Sequence, residues 1–387
     1  MASYPNRSLL LVALGHLTIE LCNNFLPVVY PVLDGTLGLN YTQIGMVALV
    51  AGMGSSLVQP LFGYLSDRWA PQWIIILSVA WIGVVMGLVG TVWSYPALVL
   101  TVGLGTLGSA AFHPSGAIMA STGDGARRGA AVSVFSVGGS VGAALSPLWV
   151  STGMRWLGSR GTLVVIPISL LVALLLYRRL GRVTRPVYDQ SATNQGEGGS
   201  GTLVGLTLII MAVVFRMWFQ VTFTTYLPAW VQGQGRSLAA GGEALSVFLA
   251  LSGVGSLIGG PLSDRVGRWR VLALSLGLLG PAVWLFVVLP YPIQVVLTGV
   301  MGMLIGASFP VTIVMAQEAW PHGLGMASGL VMGLPWVAGG VGASLTGLAA
   351  DHLSLQAAFL SLVVPGVLGA VCSLAYAGVR GRAIGGA

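Results

Sequence analysis

Uninterrupted apolar runs of about twenty residues constrain this chain more than any other feature. Ile74–Val92 and Val271–Leu289 each proceed without a charged side chain. A helix needs about 20 apolar residues to cross a bilayer, whereas a barrel strand needs about 10 with strict alternation. These runs are long and do not alternate, so the chain is expected to be an all-α bundle in lipid. Composition closes the soluble alternative. Only 17 Arg or Lys and 10 Asp or Glu occur in 387 residues, 7% of the chain, where a soluble protein carries roughly 25%. With 55% hydrophobic residues, a soluble fold would expose apolar patches well beyond a few hundred Å². The same hydrophobicity excludes disorder. The 57 glycines follow no strict triplet, which excludes a collagen-like helix. Breaks in hydropathy predict twelve spans, near residues 8–33, 43–64, 72–92, 95–119, 128–151, 161–178, 203–231, 243–263, 270–289, 293–318, 324–349 and 354–378.

Every positive side chain is arginine. With the N-terminus in the cytoplasm, Arg7, Arg68, Arg127, Arg128, Arg178, Arg179, Arg182, Arg185, Arg265, Arg268, Arg270, Arg380 and Arg382 fall inside. Arg155, Arg160 and Arg236 fall outside, and Arg216 lies within a span. This asymmetry predicts that both termini are cytoplasmic. The pI of 9.8 therefore reports topology, and no basic surface interleaved with aromatics is available for nucleic acid. The start, Met1 to Arg7 followed by a long apolar run, reads as an uncleaved first helix. Cys22 and Cys372 both sit within spans and read as buried small residues. Neither a disulfide nor a Cys/His metal cluster is expected, and no cofactor motif appears. Gly103-Leu-Gly105-Thr-Leu-Gly108 matches a dinucleotide-binding pattern only on paper. It lies inside an apolar span, with no preceding strand and no acidic residue about 20 positions on. Without lysine there is no P-loop.

The chain repeats. Gly63-Tyr-Leu-Ser-Asp67-Arg68 follows the second span, and Gly260-Pro-Leu-Ser-Asp264-Arg265 follows the eighth. Phe112 and Phe309 stand in spans four and ten, and Leu26-Pro27 matches Leu227-Pro228 in spans one and seven. The polar, Gly/Ser-rich stretch between the halves reads as a linker. The predicted organisation is a six-helix bundle over residues 1–178, a cytoplasmic linker over 179–202 and a second six-helix bundle over 203–387. Parallel repeats of this kind, with a substrate path near the bilayer midplane, are a transporter design.

The repeated Gly-x-Leu-Ser-Asp-Arg loop resembles the signature of the major facilitator superfamily. Within it, the chain is similar to the fosmidomycin resistance family. The residues carrying that similarity are Gly15-His16, Glu20, Leu26-Pro27, Gln59-Pro60, Asp67-Arg68, Gly103-Leu-Gly105, Phe112-His113-Pro114, Gly116-Ala117, Arg128-Gly129, and Gly138-Gly139 with Gly142 and Pro147. The chain departs from the family pattern at Glu20, where Asp is usual, and in Trp-Ala-Pro-Gln after Arg68. The resemblance implies a twelve-helix fold of two pseudo-symmetric bundles in the cell inner membrane, working as a monomer by alternating access. It implies that Gly63, Asp67, Arg68, Gly260, Asp264 and Arg265 form a cytoplasmic gate. Topology anchoring in a tight turn is the alternative for these six. Gly138, Gly139 and Gly142 resemble a motif associated with antiporters. Physically they form a close-packing surface beside a proline bend.

Ionisable residues at membrane depth are costly and face a cavity or a partner. Glu20 and Arg216 lie about 18 Å into spans one and seven, at 1.5 Å per residue. His16, Glu20 and Asn24 are spaced i, i+4, i+8 and share a helix face. Arg216, Gln220 and Thr224 repeat that spacing in span seven. In the resembled superfamily these helices line the central cavity. Glu20 is therefore expected to couple protons, with His113 of span four as relay. Arg216, His16, Asn24, Gln220 and Thr224 are expected to contact substrate. A permanent ion pair for Glu20 and Arg216, and a core histidine beside a proline kink for His113, are the bland alternatives. Together these features predict secondary active transport: proton-coupled efflux of a small anionic or amphipathic compound such as a fosmidomycin-like drug. Proton-coupled uptake of a metabolite acid or amino acid is the second reading. A membrane enzyme or non-transporting sensor is the third; it lacks a catalytic constellation and leaves the repeated loops unexplained.

Overall fold

The computed structural model describes the backbone of residues 6–68, 70–121, 128–181, 203–319, 331 and 333–385. Side chains are described for these residues except 6–7, 67–68, 121, 128–132 and 380–385. The linker beyond residue 181 therefore lies outside the described residues.

Among the described residues the regular structure is helical throughout. In chain order the α-helices are α1 (Asn6–Asn23), α2 (Leu26–Leu37), α3 (Tyr41–Ser56), α4 (Gln59–Arg68), α5 (Pro71–Gly87), α6 (Tyr95–Ser121), α7 (Arg128–Leu157) and α8 (Val165–Leu180). They continue with α9 (Leu203–Gly233), α10 (Leu238–Val266), α11 (Arg268–Gly277), α12 (Leu279–Val288), α13 (Tyr291–Ala319), α14 (Leu334–His352), α15 (Leu355–Ser361) and α16 (Val363–Gly385).

Ten helical stretches among the described residues are long and apolar enough to cross a membrane. One of them, Ser133–Leu180, is 48 residues long. It joins predicted spans five and six through the 3₁₀ turn Gly158–Val164. Predicted span eleven is represented by α14, because its first half falls largely outside the described residues. The twelve predicted spans and the ten observed stretches thus describe one pattern.

Predicted span one is not a single rod. It breaks after Asn23 and restarts with Pro27 near the head of α2, where proline's missing N–H has no helical partner to lose. Gly38 ends α2 with φ 61°, and its N–H bonds Asp34 O. The left-handed conformation at a helix end is one that glycine adopts without Cβ strain. Large apolar side chains remain at the surface, among them Leu77, Leu171 and Val296, as expected where the surrounding solvent is hydrocarbon.

The described chain falls into two compact units. One is drawn from residues 1–39, 50–191 and 227–246, and the other from residues 40–49, 192–226 and 247–387. In the first unit α7 lies against α1 through glycines. A Cβ on Gly138 would stand 2.4 Å from Ala13 O, and one on Gly142 would stand 2.1 Å from Leu17 O. In the second unit α14 lies on α9 in the same way, with Gly339 against Met217 O and Gly342 against the Trp218 ring. Phe223 centres an aromatic core there, within 5.2 to 5.8 Å of the rings of Phe219, Phe248, Phe286 and Phe359.

Candidate functional site

The glycine face of α7 does more than bring helices together. A Cβ on Gly139 would stand 2.4 Å from the His16 imidazole, so glycine is what leaves room for that ring. His16 stacks on Phe135 with centroids 4.1 Å apart. Gly116 of α6 in turn leaves room for Phe135, whose ring lies 2.9 Å from where its Cβ would be. The imidazole is thus held by α7, with Phe112 of α6 stacked at a centroid distance of 5.8 Å.

Its hydrogen bonds fix the tautomer. His16 Nδ1 lies 2.8 Å from Phe135 O. A carbonyl oxygen only accepts, so Nδ1 carries the proton and Nε2 presents a lone pair when the ring is neutral. His113 of α6 is held alike: its Nδ1 donates to Ser109 O at 2.8 Å. Both Nε2 atoms converge on one carboxylate oxygen, Glu20 Oε1, at 3.6 Å for His16 and 3.1 Å for His113. The other oxygen, Oε2, accepts from Asn24 Nδ2 at 2.7 Å. With an ionised carboxylate and two neutral imidazoles, three lone pairs would face one another. The arrangement holds together only with at least one positive charge or proton among them.

These contacts redistribute the roles expected from sequence. Glu20 and His113 do come together. His16 and Asn24, expected at substrate, are engaged with Glu20. One ligand atom each from His16, Glu20 and His113 lies within 4.8 Å of the others. The cluster escapes sequence inspection because His113 follows Glu20 by 93 residues.

In the second unit, Arg216 of α9 is 3% exposed. Its guanidinium lies 5.4 Å from the Phe309 ring centroid, and Nη2 approaches Met217 Sδ at 3.4 Å. Nε is buried without a hydrogen-bond partner among the described residues. Thr224 Oγ1 donates to the backbone carbonyl of Gln220 at 2.9 Å. Gln220 itself is half-buried. Of the aromatic side chains nearby, Phe219, Phe223 and Tyr226 are core, while Trp218 Nε1 donates to Thr346 Oγ1 at 3.0 Å.

The structure describes part of the repeated loop motif. A Cβ on Gly63 or Gly260 would meet only ordinary contacts, Pro114 at 3.9 Å and Pro310 at 4.0 Å. These two glycines therefore do not mark close helix approach. Arg265 is exposed and makes no ion pair among the described residues. Asp264 instead pairs with Arg268 at 3.2 Å, and Arg268 also pairs with Glu318. The chain turns between α10 and α11 at Gly267, φ 101°, which sets Arg268 at the start of α11. The i, i+4 spacing of Asp264 and Arg268 was the available signal. The side chains of Asp67 and Arg68 lie outside the described residues, although Ser66 beside them bonds Ser115 at 2.6 Å. Asp351 belongs to α14. It accepts from Tyr41 N and Thr42 N, both at 2.8 Å, and caps the start of α3.

A sequence profile of the Major Facilitator Superfamily matches residues 12–243 and 209–385. The chain is 29% identical to the fosmidomycin resistance protein of Escherichia coli (strain K12) over 358 residues, which cover 89% of this chain and 86% of that protein. It is 29% identical over 388 residues to an uncharacterized MFS-type transporter, YfnC, of Bacillus subtilis (strain 168), covering 95% and 92%. Its fold matches a bacterial homologue of the human lysosomal transporter Spinster in an inward-facing, occupied conformation. That match has a TM-score of 0.78 and 17% identity, and covers 97% of this chain and 98% of that one. The inward-open xylose transporter XylE from E. coli matches with a TM-score of 0.77 and 14% identity, over 96% of each chain.

Proposed function

Because the chain belongs to the Major Facilitator Superfamily, we propose that this membrane transporter exports a small anionic or amphipathic compound in exchange for protons. The observation that carries the coupling is the convergence of His16, Glu20 and His113. Three acceptor atoms meet around Glu20 Oε1, and a proton among them relieves their mutual repulsion. Taking up and releasing that proton changes the charge of the site by one. In a poorly hydrated environment such a change is large enough to bias a two-state protein. The residues assigned to coupling are Glu20 and His113, with His16 as their neighbour and Asn24 holding the carboxylate.

Arg216 is assigned to the anionic group of the substrate. It is buried and cationic, with a donor left unpartnered, and an anion bound there satisfies both needs. Gln220 stands one turn further along α9. The relative from E. coli that confers fosmidomycin resistance supports drug-like efflux as the direction. The remaining assignments complete the reading. Two six-helix bundles, residues 1–178 and 203–387, alternate access around the linker 179–202. Both termini are in the cytoplasm, and the chain works as a monomer in the inner membrane. The motif residues Gly63, Asp67, Arg68, Gly260, Asp264 and Arg265 stay in the proposed inner gate, joined by Arg268 and Glu318.

The test is flux in proteoliposomes carrying a pH gradient and an internal pH dye, with fosmidomycin and a panel of anionic and amphipathic compounds as probes. Export coupled to protons predicts substrate and proton moving in opposite directions. Parallel movement would identify uptake by symport. Substrate flux with no linked proton movement would remove the coupling role from Glu20.

A further inference from the structure

We infer that His16, Glu20 and His113 form a site for one divalent transition-metal ion of the zinc and cobalt class. The inference concerns metal binding itself and does not depend on the direction or coupling of transport.

The donor set is two imidazole nitrogens and one carboxylate oxygen. Imidazole suits zinc, cobalt, nickel and copper, while magnesium and calcium prefer oxygen alone. Bonds of about 2.0–2.2 Å to a tetrahedral ion place neighbouring ligand atoms roughly 3.4 Å apart. The two carboxylate–imidazole separations, 3.1 and 3.6 Å, bracket that value. All three atoms lie within 4.8 Å of one another. His113 has room to close on the ion, since its side chain is 31% exposed, against 11% for the firmly stacked His16.

The outer shell is what separates a built site from a chance cluster. Metal-ligating histidines usually donate their second ring N–H to a carbonyl or carboxylate, which sets the tautomer and aims the free lone pair. Both histidines do this here, His16 to Phe135 O and His113 to Ser109 O. The carboxylate is oriented as well: Asn24 holds Oε2, leaving Oε1 to the two imidazoles. Three ligands, each with its own anchor from the protein, point their lone pairs at one place. The anchors come from α6, α7 and the turn just past α1. Three protein ligands leave at least one coordination position to water or to an oxygen of a bound anion, as in open sites generally.

The experiment uses the purified full chain without a polyhistidine tag, in detergent, titrated with Co²⁺ alone. The expected result is visible d–d absorption saturating at one ion per chain, displaced by Zn²⁺. Glu20→Gln and His16→Asn are each expected to weaken binding at least tenfold. Asn24→Ala, which removes an anchor and leaves the ligands, is expected to weaken it about tenfold. X-ray absorption on the Zn²⁺-loaded unmodified protein is expected to show two imidazoles and only nitrogen or oxygen donors. That measurement decides the matter even where a variant fails to fold. Absence of saturable Co²⁺ binding up to millimolar concentration would overturn the proposal. So would fewer than two imidazoles around the zinc, or unchanged binding in the His16→Asn, His113→Asn double variant.

Discussion

Along α1 and the residue that follows it, His16, Glu20 and Asn24 are spaced i, i+4 and i+8, and Glu20 is met by His16, Asn24 and His113. In α9 the same spacing carries Arg216, Gln220 and Thr224. There the guanidinium lies against an aromatic ring and a sulfur, while the threonine hydroxyl bonds its own helix. Both helices are held by glycines of a later helix, α7 in one case and α14 in the other. The scaffold is repeated and the chemistry is not. The acidic residues find side-chain partners within their unit, whereas the basic site keeps a buried donor without a partner among the described residues. An uncompensated buried charge is costly, so the two sites differ in what they are arranged to receive: a proton or cation at the acidic one, an anion at the basic one. On the proposed reading, the first unit handles the proton and the second handles the anion.

Four substitutions test this contrast, in decreasing order of effect, and a fifth serves as a matched control. Glu20→Gln removes the charge around which both imidazoles are arranged. Proton-driven flux is expected to fall to background, while substrate exchange without a pH gradient persists. A flux assay with and without the gradient separates these outcomes, and unchanged gradient-driven flux would contradict the coupling assignment. Arg216→Ala deletes a charge-assisted contact worth about 1.5–3 kcal/mol, so apparent KM for an anionic substrate should rise roughly 10- to 150-fold. An uncharged analogue should be little affected, and competition between the two compounds checks this.

Gly139→Ala places a methyl group against the His16 ring. Overpacking of this kind costs about 1–3 kcal/mol, and a lowered thermal midpoint with reduced flux is expected. Its control, Gly342→Ala, presses on Trp218 instead. It should lower the midpoint by a comparable amount and leave proton coupling intact, which a flux assay scaled to folded protein would read. Thr224→Val is expected to change KM by less than twofold, because its hydroxyl already bonds a backbone carbonyl. A larger rise would return Thr224 to the substrate site.

Several of these features are legible in the amino-acid sequence. The long charge-free runs set the helices, the repeated Asp-Arg loops set the two halves, and the scarcity of charge singles out Glu20 and Arg216. Periodicity even aligns His16 with Glu20. It is silent on His113 as a partner, since spacing on one helix carries no information about a helix 93 residues away. The repeat also points to Arg265 as the gate cation, where the turn at Gly267 instead brings Arg268 back to Asp264 and Glu318.

Hydropathy and helical periodicity are local properties, so the apolar spans and the alignment of His16 with Glu20 on one helix were open to the amino-acid sequence alone. Tertiary structure decided which of the buried charges are answered. Glu20 acquires two oriented imidazoles only because Gly139 and Gly116 admit the rings of His16 and Phe135 between α1, α6 and α7. Arg216 instead meets Phe309 of α13 and Met217 beside it on α9. Complementarity between side chains depends on distances across helices, and no single helix encodes them.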